Sequence, residues 1–188
     1  MTDPVTLTGP RVTLRPWRLP EDLEPLFSIN GDPAVMRYFQ NTHDPAESDA
    51  WGRRIAANFG DRGYGFWVVD LPGESMAGVV GPQPVAFDAP FTPAVEIGWR
   101  IAGRMQRRGV AEEAARIALA HAFGPARLER VVAFTPPANE PSWRLMEKLG
   151  MRREATFDHP RLPDGHPLKP HLLYAIERDD WIADRLGG

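Results

Sequence analysis

Hydrophobic positions along the chain switch between two periods, and the switches mark where strands give way to helices. Val12-Thr13-Leu14-Arg15-Pro16-Trp17 alternates with period two, which predicts a strand, and Pro20-Glu21-Asp22 then opens a helix carrying Leu23, Leu26 and Phe27 at helical spacing. A second helix is predicted over 46–59. Between these helices, Tyr38-Phe39-Gln40-Asn41-Thr42-His43 follows neither period and reads as a loop of aromatic and polar groups. Residues 66–70 and 75–80 read as strands around the turn Leu71-Pro72-Gly73-Glu74, the pattern of a hairpin.

The run Val95-Glu96-Ile97-Gly98-Trp99-Arg100-Ile101 places Val95, Ile97, Trp99 and Ile101 on one strand face and Glu96, Gly98 and Arg100 on the other. Beyond it, Ala111, Ala114, Ala115, Ala118, Leu119 and Ala122 recur at helical spacing, a small-residue stripe that lets a helix lie close against a sheet. Gly124-Pro125 ends that helix, and Val131-Val132-Ala133-Phe134-Thr135 reads as a buried strand. Strand, helix, strand predicts a parallel pair with a right-handed crossover. A helix over 139–148 closed by Gly150 as a left-handed cap, a strand over 151–157, a proline-rich excursion over 159–170 and a last strand over 171–176 complete a mixed α/β pattern.

Between the alternating strand and the small-residue helix lies Gln106-Arg107-Arg108-Gly109-Val110-Ala111. A strand's C-terminal end is where open α/β sheets bind ligands. The first N–H groups of a helix have no intrahelical acceptor and the helix dipole adds positive potential, so phosphate fits there. Gly109 lets the backbone approach closely, and Ala111 is nearly as small. The same six residues also suit an ordinary strand-to-helix turn.

Composition narrows the classes. A chain of 188 residues fits one domain, 1–188. A net charge of -3 provides no basic excess for nucleic acid. The absence of cysteine removes disulfides, thiolate nucleophiles and cysteine metal sites. His43, His159, His166 and His171 show no metal-ligand spacing, so no metal is expected. Met1-Thr2-Asp3-Pro4 starts no export signal, and no apolar run approaches the roughly 18 residues of a membrane span, so no membrane association and a cytoplasmic location are expected.

Three elements now coincide: Val95-Glu96-Ile97-Gly98-Trp99 before the loop, Gln106 to Ala111 with Glu113-Ala114-Ala115 after it, and Asn139-Glu140-Pro141-Ser142 leading into Glu147-Lys148-Leu149-Gly150-Met151. In order and spacing they resemble the GNAT superfamily of N-acetyltransferases, most closely its RimJ/RimL-type branch, across nearly the whole chain. The resemblance implies an α/β (α+β) fold: a mostly antiparallel central sheet splayed between two parallel strands, here 94–101 and 131–135, with acetyl-CoA in the opening. It implies that the Gln106, Arg107, Arg108, Gly109, Val110 and Ala111 loop holds the pyrophosphate. The backbone of Trp99, Arg100 and Ile101 would pair with the pantetheine arm, which Asn139 would also bind, and Arg144 would screen the phosphates. Ala111 replaces the glycine that often ends the loop. Met146 stands where many members carry the tyrosine that protonates the leaving thiolate.

Direct acetyl transfer needs a neutral amine, a polarised thioester and a fate for the thiolate. Ser142 lies on the inward face of its helix with Leu145 and Leu149, and the branch commonly assigns a serine here to the sulfur; bonding to the local backbone is the structural alternative. Glu96, flanked by apolar residues, is the leading base, since burial raises a carboxylate pKa; an ion pair with Arg100 is its alternative. An α-amine of pKa about 7.8 is easier to use than a lysine near 10.4, by roughly 3–4 kcal/mol. Tyr38, Phe39, His43 and Trp51 read either as walls of an acceptor pocket, together with the 159–170 excursion and His171, or as aromatic core. The acceptor is thus an amine, on a small molecule or a protein N-terminus, for a monomer or homodimer. The rival reading is a non-catalytic acyl-CoA-binding module. A dinucleotide-dependent oxidoreductase is disfavoured by the missing G-x-G-x-x-G.

Overall fold

The computed structural model describes residues 5–186, so the tetrapeptide Met1-Thr2-Asp3-Pro4 lies outside the described residues. In chain order the elements are β1 (Leu7–Thr8), β2 (Thr13–Arg15), α1 (Leu23–Asn30), α2 (Pro33–Met36), α3 (Pro45–Arg62), β3 (Trp67–Leu71), β4 (Glu74–Pro84), β5 (Val95–Ile101), α4 (Val110–Phe123), β6 (Arg130–Thr135), α5 (Glu140–Lys148), β7 (Arg152–Asp158), β8 (Pro170–Glu177) and α6 (Arg178–Leu186). Among the described residues the strands form one sheet in the order β1-β2-β3-β4-β5-β6-β8-β7. Every neighbouring pair is antiparallel except β5 and β6, which are parallel.

That parallel pair is nearly open. β5 and β6 share one register position, Glu96 opposite Val132, whereas β4 pairs with β5 from Pro84–Val95 to Gly78–Ile101 and β8 pairs with the whole of β6. The sheet therefore consists of two well-paired halves that meet at one point and part toward the C-terminal ends of β5 and β6. This is the splayed architecture that the sequence resemblance implies.

Packing follows the two hydrophobic periods. The stripe Ala114, Ala115, Ala118, Leu119 and Ala122 is fully buried, and small side chains let α4 lie close to Leu14, Trp67, Val80 and Ile97 of the sheet. On the opposite face, Leu26, Ile29 and Ile55 from α1 and α3 cover Phe66, Val68 and Val79. β5 thus has helices on both sides, and its alternating side chains reach two different environments.

Several boundaries differ from the sequence reading. The helix expected to open at Pro20-Glu21-Asp22 begins at Leu23, and the Asp22 carboxylate accepts both terminal nitrogens of buried Arg15 at 2.8 Å and Arg18 N at 2.6 Å. Helix α3 outruns the expected 46–59. A capping box, Glu47 N to Asp44 Oδ1 at 2.8 Å and Asp44 N to Glu47 Oε2 at 2.9 Å, starts it at Pro45. Gly63 closes it at φ 71°. Strand β4 runs on through Pro82 and Pro84 because β3 stops pairing at Val80 and leaves β4 as an edge there, where a residue without N–H is tolerated. Gly81 is required at that exit: a Cβ on it would lie 1.9 Å from the Gly65 carbonyl oxygen. β1, α2 and α6 were not anticipated; the first two are too short to show a period, and α6 is dominated by charged residues.

Candidate active site

One cleft of about 1360 Å³ occupies the opening of the sheet. Its lining includes Tyr38, His43, Trp51, Glu96, Trp99, Arg100, Ile101, Gln106, Arg107, Gly109, Val110, Ala111, Asn139, Ser142, Arg144 and His171, so sequence-singled residues from distant segments converge. Of the singled-out residues, Arg108 is not part of this lining; it is exposed, and its carbonyl accepts Arg11 Nη1 at 3.1 Å.

On one side stands the loop into α4. Gln106 folds back to donate Nε2 to the Ile101 carbonyl at 3.1 Å, closing the loop onto the end of β5. Arg107 at φ 57° and Gly109 at φ 77° are both left-handed, a conformation glycine adopts freely and arginine only under constraint. The first turn of α4 is in turn tied to the segment before β2: Glu113 accepts Arg11 N at 2.7 Å, Val12 N at 2.9 Å and Arg11 Nε at 2.9 Å. Burial opposes ionisation of Glu113, but these donors prevail and lower its pKa. The first N–H groups of α4 are left without intrahelical acceptors and face the cleft with exposed Arg107 nearby.

Helix α5 supplies the neighbouring wall. Asn139 at its N-terminus donates Nδ2 to Thr135 Oγ1 at 2.9 Å instead of capping the helix, which fixes the amide beside the end of β6. Ser142 is buried, and its hydroxyl makes no hydrogen bond among the described residues, so the backbone-bonded alternative is not observed. Met146, one turn on, is 2% exposed and offers no proton. Arg144 is exposed and bridges to Glu140 at 2.6 Å.

Glu96 sits at the register position where β5 and β6 part. Burial pushes its pKa up to about 7, against the opposing hydrogen bond from Gln83 Nε2 at 2.8 Å and the positive charge of Arg161. It is not paired with Arg100. The Phe66 ring lies over Gly98 between them, 2.9 Å from where a Cβ would stand.

Arg100 points away from the loop, toward α1 and α3. Its guanidinium lies 4.4 Å from the Phe39 ring centroid and 4.5 Å from that of Trp51, and Nη1 donates to Asn30 Oδ1. Its backbone stays on the β5 edge that the resemblance assigns to the pantetheine, while its side chain belongs to the opposite wall. His43 packs edge-on to Trp51 at 6.4 Å, and burial, then Arg100, lower its pKa.

A third wall is aromatic: Phe87 and Phe134, backed by Phe157, with His159 and His171, whose rings are 4.9 Å apart. Burial takes His159 down to about 4 and also lowers His171, so both imidazoles are neutral at pH 7. Gln83 and Asn30, which hold Glu96 and Arg100, were not anticipated. Gln83 faces Glu96 in register, a signal hidden because Gly81-Pro82-Gln83-Pro84 reads as the end of a strand.

The comparisons with known proteins agree with this geometry. A family model described as an acetyltransferase (GNAT) domain matches residues 11–152. The chain is 28% identical over 176 residues to the uncharacterized N-acetyltransferase YnaD of Bacillus subtilis (strain 168), across 93% of this chain and 98% of that protein. A GNAT-family acetyltransferase from Bacillus anthracis superposes with a TM-score of 0.76 at 26% identity, covering 93% of this chain and 99% of the other. Mycobacterium smegmatis RimJ, solved in complex with CoA-disulfide, shares the fold with a TM-score of 0.72 at 23% identity over 97% of this chain and 96% of its own. With the splayed sheet, the glycine loop and a family model spanning most of its length, the chain belongs to the GNAT family of acetyltransferases.

Proposed function

We propose that the chain is an acetyl-CoA-dependent N-acetyltransferase of the RimJ/RimL type that transfers acetyl directly to a primary amine, with Glu96 as the base. The observation that carries this reading is the position of Glu96: a desolvated carboxylate with a pKa of about 7, at the point where the donor side and the acceptor walls of one cleft meet. A carboxylate tuned near the working pH is half ionised there, so it both accepts the ammonium proton and gives it up again.

The open edge of β5, the left-handed loop at Arg107–Gly109 and exposed Arg107 and Arg144 at the cleft mouth fit an extended, phosphate-bearing donor. Acetyl-CoA bound there supplies a thioester whose carbonyl is attacked by the amine, with the thiolate as leaving group. Gln106 and Glu113 hold the loop, Asn139 borders the donor arm, and the uncommitted Ser142 hydroxyl is the proton source for the sulfur in place of a tyrosine. The order and spacing of the sequence motifs support the RimJ/RimL assignment.

The test is CoA thiol release across peptides and small amines. Glu96→Gln is expected to lower kcat by about 10²–10⁴-fold with little change in CoA affinity, and to abolish an acid limb near pH 7. Full turnover by Glu96→Gln, with an unchanged pH profile, would show that the base lies elsewhere. Acetyl-CoA binding without turnover on any amine would favour the acyl-CoA-binding module, the reading that buried Met146 keeps open.

A further inference from the structure

Arg100 is a charge that acetyl transfer, as proposed, does not use. It is 8% exposed and lines the acceptor side of the cleft, yet it makes no ion pair among the described residues. Asn30 Oδ1, a neutral acceptor, takes Nη1; Nε is buried with no partner; Nη2 makes no hydrogen bond among the described residues. Phe39 and Trp51 cover the guanidinium, so what remains open to a ligand is its edge. Desolvation by burial brings its pKa down only to about 10, so the group stays cationic at neutral pH.

A cation held out of water without a counter-charge is electrostatically incomplete, and an arginine edge is matched by a flat oxyanion. Among the described residues no carboxylate pairs with it. Glu47 Oε2 accepts Asp44 N in the capping box, His43 has a lowered pKa, and Arg37, Arg54 and Arg62 also line the cleft. The geometry points to Arg100 as the docking point for a carboxylate carried by the amine acceptor. This rests on the acetyl-transfer reading of the same cleft and specifies its substrate class.

Spacing refines that class. Glu96 and Arg100 project from the same face of β5, about 13 Å apart along the strand at its usual rise per residue. The Phe66 ring fills the interval over Gly98. An amine presented to Glu96 and a carboxylate presented to Arg100 are therefore several bonds apart, as in an ω-amino acid or a short peptide. A polyamine whose second cation faces Arg100 is disfavoured by like charge.

Full-length protein assayed with 6-aminohexanoate, 6-aminohexanamide and 1,6-diaminohexane tests this. The carboxylate is expected to exceed its amide at least tenfold in kcat/KM, with the diamine poorest. Arg100→Met should erase the ratio by lowering the carboxylate alone, and Arg100→Lys should retain part of it. If Arg100→Met does not fold, the wild-type ratio and Arg100→Lys still decide. Equal or better use of the amide or the diamine overturns the proposal. Hexanoate, with hexanamide as control, gives a readout independent of turnover: hexanoate is expected to bind the wild type and not Arg100→Met. Hexanoate binding with no amine acetylated leaves the subsite standing and sinks the catalytic reading; acetylation without carboxylate preference or hexanoate binding does the reverse.

Discussion

Glu96 and Arg100 show how a single strand face can hold two opposite charges without joining them. Both are desolvated, and Phe66 over Gly98 keeps them from pairing, so each retains the perturbation that burial imposes. For Glu96 this has a thermodynamic consequence. Its carboxyl rises from an ordinary 4.5 to about 7 on folding, so between these values the folded state binds more protons than the unfolded one and stability falls as pH rises. The penalty is absent below about pH 4.5 and complete above about pH 7. Glu96→Gln is therefore expected to be more stable than the wild type at pH 8, with the advantage shrinking toward zero near pH 4.5. Urea unfolding of both proteins across that range measures it, and a difference independent of pH would contradict it. Alternation along residues 95–101 was enough to put Glu96 and Arg100 on one face. It was silent on Gln83 and Asn30, whose roles depend on pairing between strands and on where α1 ends.

At the scale of elements, glycine position decides the sign of an otherwise identical change. Gly109 caps the start of α4 at φ 77°, and a Cβ there would approach Arg11 Nη2 at 3.1 Å. Gly109→Ala is expected to cost about 1–2 kcal/mol, from left-handed backbone strain, and to weaken CoA binding as well. Gly60 lies inside α3 with open space around its Cβ position. Gly60→Ala is expected to add about 0.5–1 kcal/mol by favouring the helix. Denaturant unfolding of the two variants checks both signs. The elements themselves were largely legible because long periods report their own faces: the α4 stripe and the β5 alternation are buried as the spacing implies. Their ends were less so. The helix expected from Pro20 begins only at Leu23, and Asp22 serves Arg15, a partner seven residues earlier that only the folded chain brings alongside it.

The whole molecule is two paired half-sheets joined by one residue pair across the parting strands. A donor bound in that opening, as proposed, would touch α4 on one half and α5 on the other, and its binding would couple the halves. CoA at a hundredfold its Kd is expected to stabilise the fold by about 2.7 kcal/mol and raise Tm by about 5–11 °C. Hydrogen exchange should slow in both α4 and α5; protection confined to α4 would mean that the donor contacts one half only.

Periodicity and punctuation along the chain carry the proposed donor side: strand, glycine loop, small-residue helix, and the asparagine that opens α5 are local in sequence and keep their meaning when read in order. Family and fold follow from that order, because each element's face is set by its own neighbours. The proposed acceptor side has no such signature. Its walls come from α3, β4, β5 and the segment before β8, which meet only when the sheet forms. The desolvation that tunes Glu96 and leaves Arg100 uncompensated comes from atoms distant in sequence, and burial is a property of the packed molecule, so it has no counterpart in a local pattern.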